Sequence, residues 1–173
     1  MAKPSSKKRK GKSDKPKVMP LLAMAIFCER VLEEKDNVLT IVRVVDRLIV
    51  PKPPELPPAP KGEPPPQLAV PLPAVIMFKS GDAKGEYPFR IEIVWPSGRR
   101  LRAQDMALTF LGAETGFNLR TVVPIPVDEE GLYWYEVFLQ EHLVTRMPLR
   151  IEHSSQIADG ATTEQSQASE GEG

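Results

Sequence analysis

The chain has 173 residues, the length of one ordinary domain with flanking material. Its 23 basic and 23 acidic residues cancel, but unevenly: residues 1–17 carry +7, residues 154–173 carry −4, and the middle carries about −3. Cys28 is the single cysteine, which excludes an internal disulfide and a cysteine-built zinc site, and no stretch approaches the roughly 20 apolar residues of a bilayer span.

Taken in order, residues 1–17 hold Lys7, Lys8, Arg9, Lys10 and Lys12 among almost no apolar side chains, which predicts a disordered basic tail. The run from Val18 to Cys28 is interrupted by Pro20 and ends in Glu29-Arg30 without a small-residue cleavage site, so it does not read as a signal peptide. Its continuation, LLAMAIFCERVLEE, fits either a helix, with Leu21, Ala25, Cys28 and Leu32 on one face, or a strand turning at Glu33 to Asn37. The β-branched run Val38–Val50 is strand-like and needs a neighbour, which favours a hairpin.

Residues 51–66, PKPPELPPAPKGEPPP, cannot form a central strand because proline has no N–H to donate. They read as a stiff proline-rich crossover loop. A docking role is the weaker reading, because the PxxP cores lack a flanking base. Gln67–Phe78 is a strand with a proline-broken start, and Ser80–Gly85 a turn. Tyr87, Phe89, Ile91, Ile93 and Trp95 alternate with Pro88, Arg90, Glu92, Val94 and Pro96, the most regular strand pattern in the chain. Further strands are predicted over Arg99–Phe110 and Phe117–Pro126. The domain spans 18–153, and the low-complexity acidic tail 154–173 should be disordered.

The stretch Glu129–His153 reads as a strand hairpin in which Tyr133, Tyr135, Val137 and Leu139 share one face. Its start, Glu129-Glu130-Gly131-Leu132-Tyr133-Trp134-Tyr135, resembles the acidic-x-Gly-x-Tyr-x-Cys approach to strand F of immunoglobulin-like sandwiches, with Tyr135 in the cysteine position. The resemblance implies that Tyr133 is a tyrosine corner whose hydroxyl bonds back to the loop backbone, with Gly131 and Cys28 as further structural residues. About seven short strands then predict an all-β, two-sheet antiparallel immunoglobulin-like sandwich. The segment from Phe27 to Pro54, with Cys28, Glu29, Asp46, Arg47 and Pro51, resembles the start of a bacterial family of small proteins classed only as a domain of unknown function. EYPFRIEIVWPSG and GLYWYEVFLQEHLVTRMPLRIE are similar to later parts of that family. The resemblance covers about Leu21–Glu152 and implies a sandwich without implying a reaction; the lysine-rich leader and the long proline segment depart from the family's pattern.

No constellation carries chemistry. Cys28 lies in an apolar run, where a thiol fills space, and His142 lies at a hairpin tip, so neither forms a nucleophile–base pair. Asp128, Glu129, Glu130 and the two histidines lack ligand spacing, and no phosphate loop is present. The expectation is therefore a non-enzyme without cofactor or metal, cytoplasmic and away from membranes. Its most expected partner is an unidentified protein. The alternative is nucleic acid held by the lysine-rich tail through counterion release. Arg99, Arg100 and Arg102 beside Trp95 are a lesser basic patch. A distant alternative is carbohydrate stacking on Trp95, Tyr133, Trp134 and Tyr135.

Overall fold

Residues 18–36, 38–54, 68–113 and 115–154 are described by the computed structural model. The basic leader 1–17, residues 55–67 of the proline-rich segment and residues from 155 onward lie outside the described residues. The described residues form nine strands: β1 (Leu21–Glu33), β2 (Leu39–Val45), β3 (Arg47–Pro51), β4 (Ala69–Lys79), β5 (Lys84–Val94), β6 (Arg100–Leu111), β7 (Gly116–Pro126), β8 (Gly131–Leu139) and β9 (His142–Ser154). They make two sheets, a first in the order β2-β1-β4-β7 and a second in the order β3-β9-β8-β5-β6. This is an all-β, immunoglobulin-like sandwich.

The core follows from period two. Tyr87, Phe89, Ile91 and Ile93 of β5, Tyr133, Tyr135, Val137 and Leu139 of β8, and Met147, Leu149 and Ile151 of β9 all point inward and are buried. Leu72, Ala74, Ile76 and Phe78 of β4 and Val123 and Ile125 of β7 close the core from the other sheet. Edge-to-face aromatic contacts cross or line it: Phe27 to Tyr135 at 4.8 Å between ring centres, Tyr87 to Phe110 at 5.2 Å and Phe78 to Phe110 at 5.8 Å.

The strand count and one pairing depart from a seven-strand, fully antiparallel arrangement. The run Val38–Val50 is not one strand. It leaves the first sheet after Val45, and after Asp46 it joins the edge of the second sheet as β3, paired parallel to β9 with Arg47 opposite Arg150 and Pro51 opposite Ser154. Period two cannot show this, because β-branched residues suit either sheet; the charged Asp46-Arg47 pair marks the switch. The run from Leu21, open between helix and strand, is β1, paired antiparallel to β2 and β4.

The hairpin of β1 and β2 also bends. Phe27, opposite Ala74, is the last β1 residue paired to β4, and in a straight strand Glu33 would lie about 20 Å beyond it. Instead Glu33 forms an ion pair with Arg120 of β7, which sits opposite Val75. The hairpin therefore crosses over β4, accounting for the full burial of Cys28 and Val75 even though neither belongs to the inter-sheet core. Arg43, with φ of 48° and an ion pair to Glu29 at 2.8 Å, marks the bend.

Candidate interaction face

The outward side of the second sheet is set by the same alternation that fills the core. Residues between the buried ones on β5 and β8 must point away from it, and register aligns them into rows. One row runs Arg100–Val94–Trp134–Pro148 across β6, β5, β8 and β9, and the next runs Arg102–Glu92–Glu136–Arg146. Trp134 stands 38% exposed in the middle of this sheet, the largest side chain on its outer side, with half-buried Val94 and Leu132 beside it.

Charged rows frame the tryptophan. Glu136 is only 6% exposed at its side chain and accepts from two arginines, Arg100 and, at 3.0 Å, Arg146. Glu92 accepts from Arg90 at 2.9 Å and lies 3.5 Å from Arg100. Arg90 in turn lies 4.0 Å over the Phe138 ring. Burial alone would raise the Glu92 pKa, but the hydrogen bonds and charges of Arg90 and Arg100 outweigh it and hold the carboxyl below its ordinary range. Arg150, opposite Leu132, has no ion-pair partner among the described residues, so the surround of Trp134 is arginine-rich.

One end of this face is fastened by the β5–β6 turn and the loop before β8. The Trp95 indole N–H donates to Asp128 at 3.0 Å, Arg99 pairs with the same carboxylate, and the Arg99 guanidinium lies 4.2 Å over the Trp95 ring. The Tyr133 hydroxyl donates to the Glu129 carbonyl at 2.9 Å and lies 3.2 Å from the Glu129 N–H. Gly131 has φ of 131°, and a Cβ there would lie 2.9 Å from Cγ of Pro96, so only glycine fits the turn into β8.

Of the other residues singled out from sequence, Cys28 is buried on the outer side of β1 with its sulfur 3.8 Å from the Pro73 carbonyl oxygen, and burial pushes its thiol pKa up. His142 starts β9 in the other sheet and His153 donates from its ring to the Val127 carbonyl at 2.9 Å, so neither meets the thiol. Arg99, Arg100 and Arg102 do not form one basic patch, because each is held by a carboxylate: Asp128, Glu136 and Asp105. Of the four aromatics considered for sugar stacking, Trp95, Tyr133 and Tyr135 are buried and Trp134 alone is exposed. Lys7, Lys8, Arg9, Lys10 and Lys12 lie outside the described residues. Sequence reasoning missed Glu136, whose two arginines come from separate strands and become neighbours only through register.

A cavity of about 430 Å³ opens between Lys52, Pro53, Pro54, Leu68, Asp128, Glu130 and His153. Its acids are already engaged, Asp128 by Trp95 and Arg99 and Glu130 by the His153 backbone N–H at 2.6 Å. Among the described residues no three of His, Cys, Asp and Glu are grouped to hold a metal ion, and no helix is long and apolar enough to cross a membrane.

No protein-family profile matches the sequence, and no curated protein matches it. Among solved structures the chain is similar to the crystal structure of an immunoglobulin-like protein from Pseudomonas aeruginosa. The two share 10% identity over 80% of this chain and 100% of that one, with a TM-score of 0.38.

Proposed function

We propose that this chain is a non-catalytic β-sandwich interaction module whose partner is a protein docking on the outer face of the second sheet around Trp134. The observation that carries the reading is the placement of that ring. A tryptophan 38% exposed in the centre of a sheet face, beside Val94, Leu132 and Pro148 and ringed by Arg100, Arg146 and Arg150, has the composition of an interface hot spot. Glu136 holds Arg100 and Arg146 in place, so a partner meets a preordered surface and less side-chain entropy is lost on docking. The lone buried thiol of Cys28 fits a reducing compartment such as the cytoplasm. The reading also fits membership of the bacterial family of unknown function that residues 21–152 resemble, since that family implies no reaction.

The test is affinity capture from host lysate with wild type, Trp134→Ala and a chain lacking residues 1–17, each with and without nuclease. A stoichiometric protein that survives nuclease and is lost with Trp134→Ala supports the face. Partners lost only on nuclease treatment or tail deletion would move the function to Lys7, Lys8, Arg9, Lys10 and Lys12 and to nucleic acid.

A further inference from the structure

The four sheet edges are not equivalent. β2 has seven residues and carries Arg43 in the left-handed region, β3 has five and ends in Pro51, and β7 carries Pro124 and Pro126. β6, the outer strand of the second sheet, has twelve residues without a proline. Among the described residues nothing pairs with its outer side, so it presents a row of open N–H and C=O groups.

Which groups face outward follows from β5. The Pro88 carbonyl accepts from Gln140 beyond β8, so Pro88 directs its backbone away from β6, as do Arg90, Glu92 and Val94 by alternation. Their β6 partners, Ala107, Asp105, Arg102 and Arg100, then direct their own N–H and C=O groups to the open edge. The irregularity at Ile91/Glu92 is what keeps Arg102 and Asp105, three apart in sequence, on the same side. Between these positions Leu101 and Met106 are apolar and remain 46% and 37% exposed.

We propose that β6 pairs antiparallel with β6 of a second copy of this chain, about a two-fold axis, with Arg102 opposite the partner's Asp105. In this register Arg100 faces the partner's Ala107, Leu101 faces the partner's Met106, and each ion pair occurs twice by symmetry. Both members of each facing pair sit on the same sheet face, and in the Arg102–Asp105 and Arg100–Ala107 pairs the backbone groups are directed at one another. The neighbouring registers are less favourable: each sets like charges on the axis, and the one that would bring Arg100 opposite the partner's Asp105 must draw Arg100 off Glu136. One step in one direction sets Asp105 against the partner's Asp105, and one step in the other sets Arg102 against the partner's Arg102. Within one chain Arg102 and Asp105 already meet at 3.0 Å with both side chains 59% exposed, so they can exchange that contact for the one across the axis. Pairing makes one ten-stranded sheet with both Trp134 faces on the same side. This proposal is independent of what docks there.

The experiment is sedimentation velocity of the full chain over micromolar to millimolar concentrations, for wild type, Arg102→Asp, Asp105→Arg and the double exchange. The expected result is a concentration-dependent dimer, weakened roughly tenfold or more by either single exchange, which turns two attractions into two repulsions, and restored by the double exchange. Ala107→Pro removes an N–H that serves only the open edge, so it should abolish the dimer while leaving the circular dichroism spectrum and melting curve of the monomer intact. A wild type that is monomeric throughout overturns the proposal, as does a dimer indifferent to both single exchanges and to Ala107→Pro. Trp134→Ala should leave the dimer unchanged, which separates this result from the fate of the docking face.

Discussion

Tyr133 and Tyr135, two residues apart on β8 and both fully buried, are opposites in hydrogen bonding. The Tyr133 hydroxyl donates to the Glu129 carbonyl, whereas the Tyr135 hydroxyl has no partner among the described residues, and its ring packs edge-to-face with Phe27 in the core. Losing a made bond is costly, and losing an unmade one is not. Tyr133→Phe should lower stability by about 1–2 kcal/mol, because it also strands the Glu129 carbonyl. Tyr135→Phe keeps the ring contact and should fall within about 0.5 kcal/mol of wild type or above it. Urea midpoints of the two variants check this, and equal losses would sink the distinction.

Gly131→Ala should destabilise by about 1–3 kcal/mol, since both the positive φ and the Pro96 ring oppose a methyl group. Gly98→Ala provides the control: its φ is 85° but the space around it is open, so it carries backbone strain alone. Thermal melts should rank Gly131→Ala below Gly98→Ala, and the reverse order would show that Pro96 yields without cost.

Acid should unfold the protein through Glu92 and Asp128. Burial raises the Asp128 pKa, but hydrogen bonds from Trp95 and Arg99 more than offset this and hold it below its usual range, as Arg90 and Arg100 do for Glu92. A folded pKa below the unfolded one means stability that is complete above the ordinary carboxylate range and lost as pH falls through the folded value. Stability should therefore be level from neutral to about pH 5 and decline below about pH 4. Urea titrations across that window measure the slope, which Asp128→Asn should reduce. A midpoint as high at about pH 3 as at neutrality contradicts the assignment.

The two tryptophans should report separately. Trp95 is 2% exposed and Trp134 38%, so Trp95→Phe should leave red-shifted emission readily quenched by acrylamide, and Trp134→Phe should leave blue-shifted, protected emission. Equal quenching of the two variants would remove Trp134 from the surface and with it the proposed docking face.

What was legible in the sequence was whatever is encoded locally. Alternation from Tyr87 to Trp95 and from Tyr133 to Leu139 picks out every core residue of those strands, because strand geometry forces it, and leaves only Glu136 buried on the outer side. The bond from Tyr133 to Glu129 spans four residues and is written in the Glu-x-Gly-x-Tyr spacing. The break at Asp46 was not legible, because a single apolar run serves two sheets equally well. The bend that takes Glu33 to Arg120 and the two arginines on Glu136 were also hidden, since each depends on strands distant in sequence. The proposed docking face shares that difficulty: alternation places Trp134 outward, but only register shows which arginines surround it.

The parallel pairing of β3 with β9 also has a mechanical consequence. A pull on Ser154 draws β9 forward along β3, and because the two strands run the same way and β3 is anchored through Asp46 to β2, the bonds between Arg47–Pro51 and Arg150–Ser154 are loaded together in shear. The short strand added after Asp46 thus acts as a clasp on the end of β9, whose five residue pairs resist such a pull together rather than in turn.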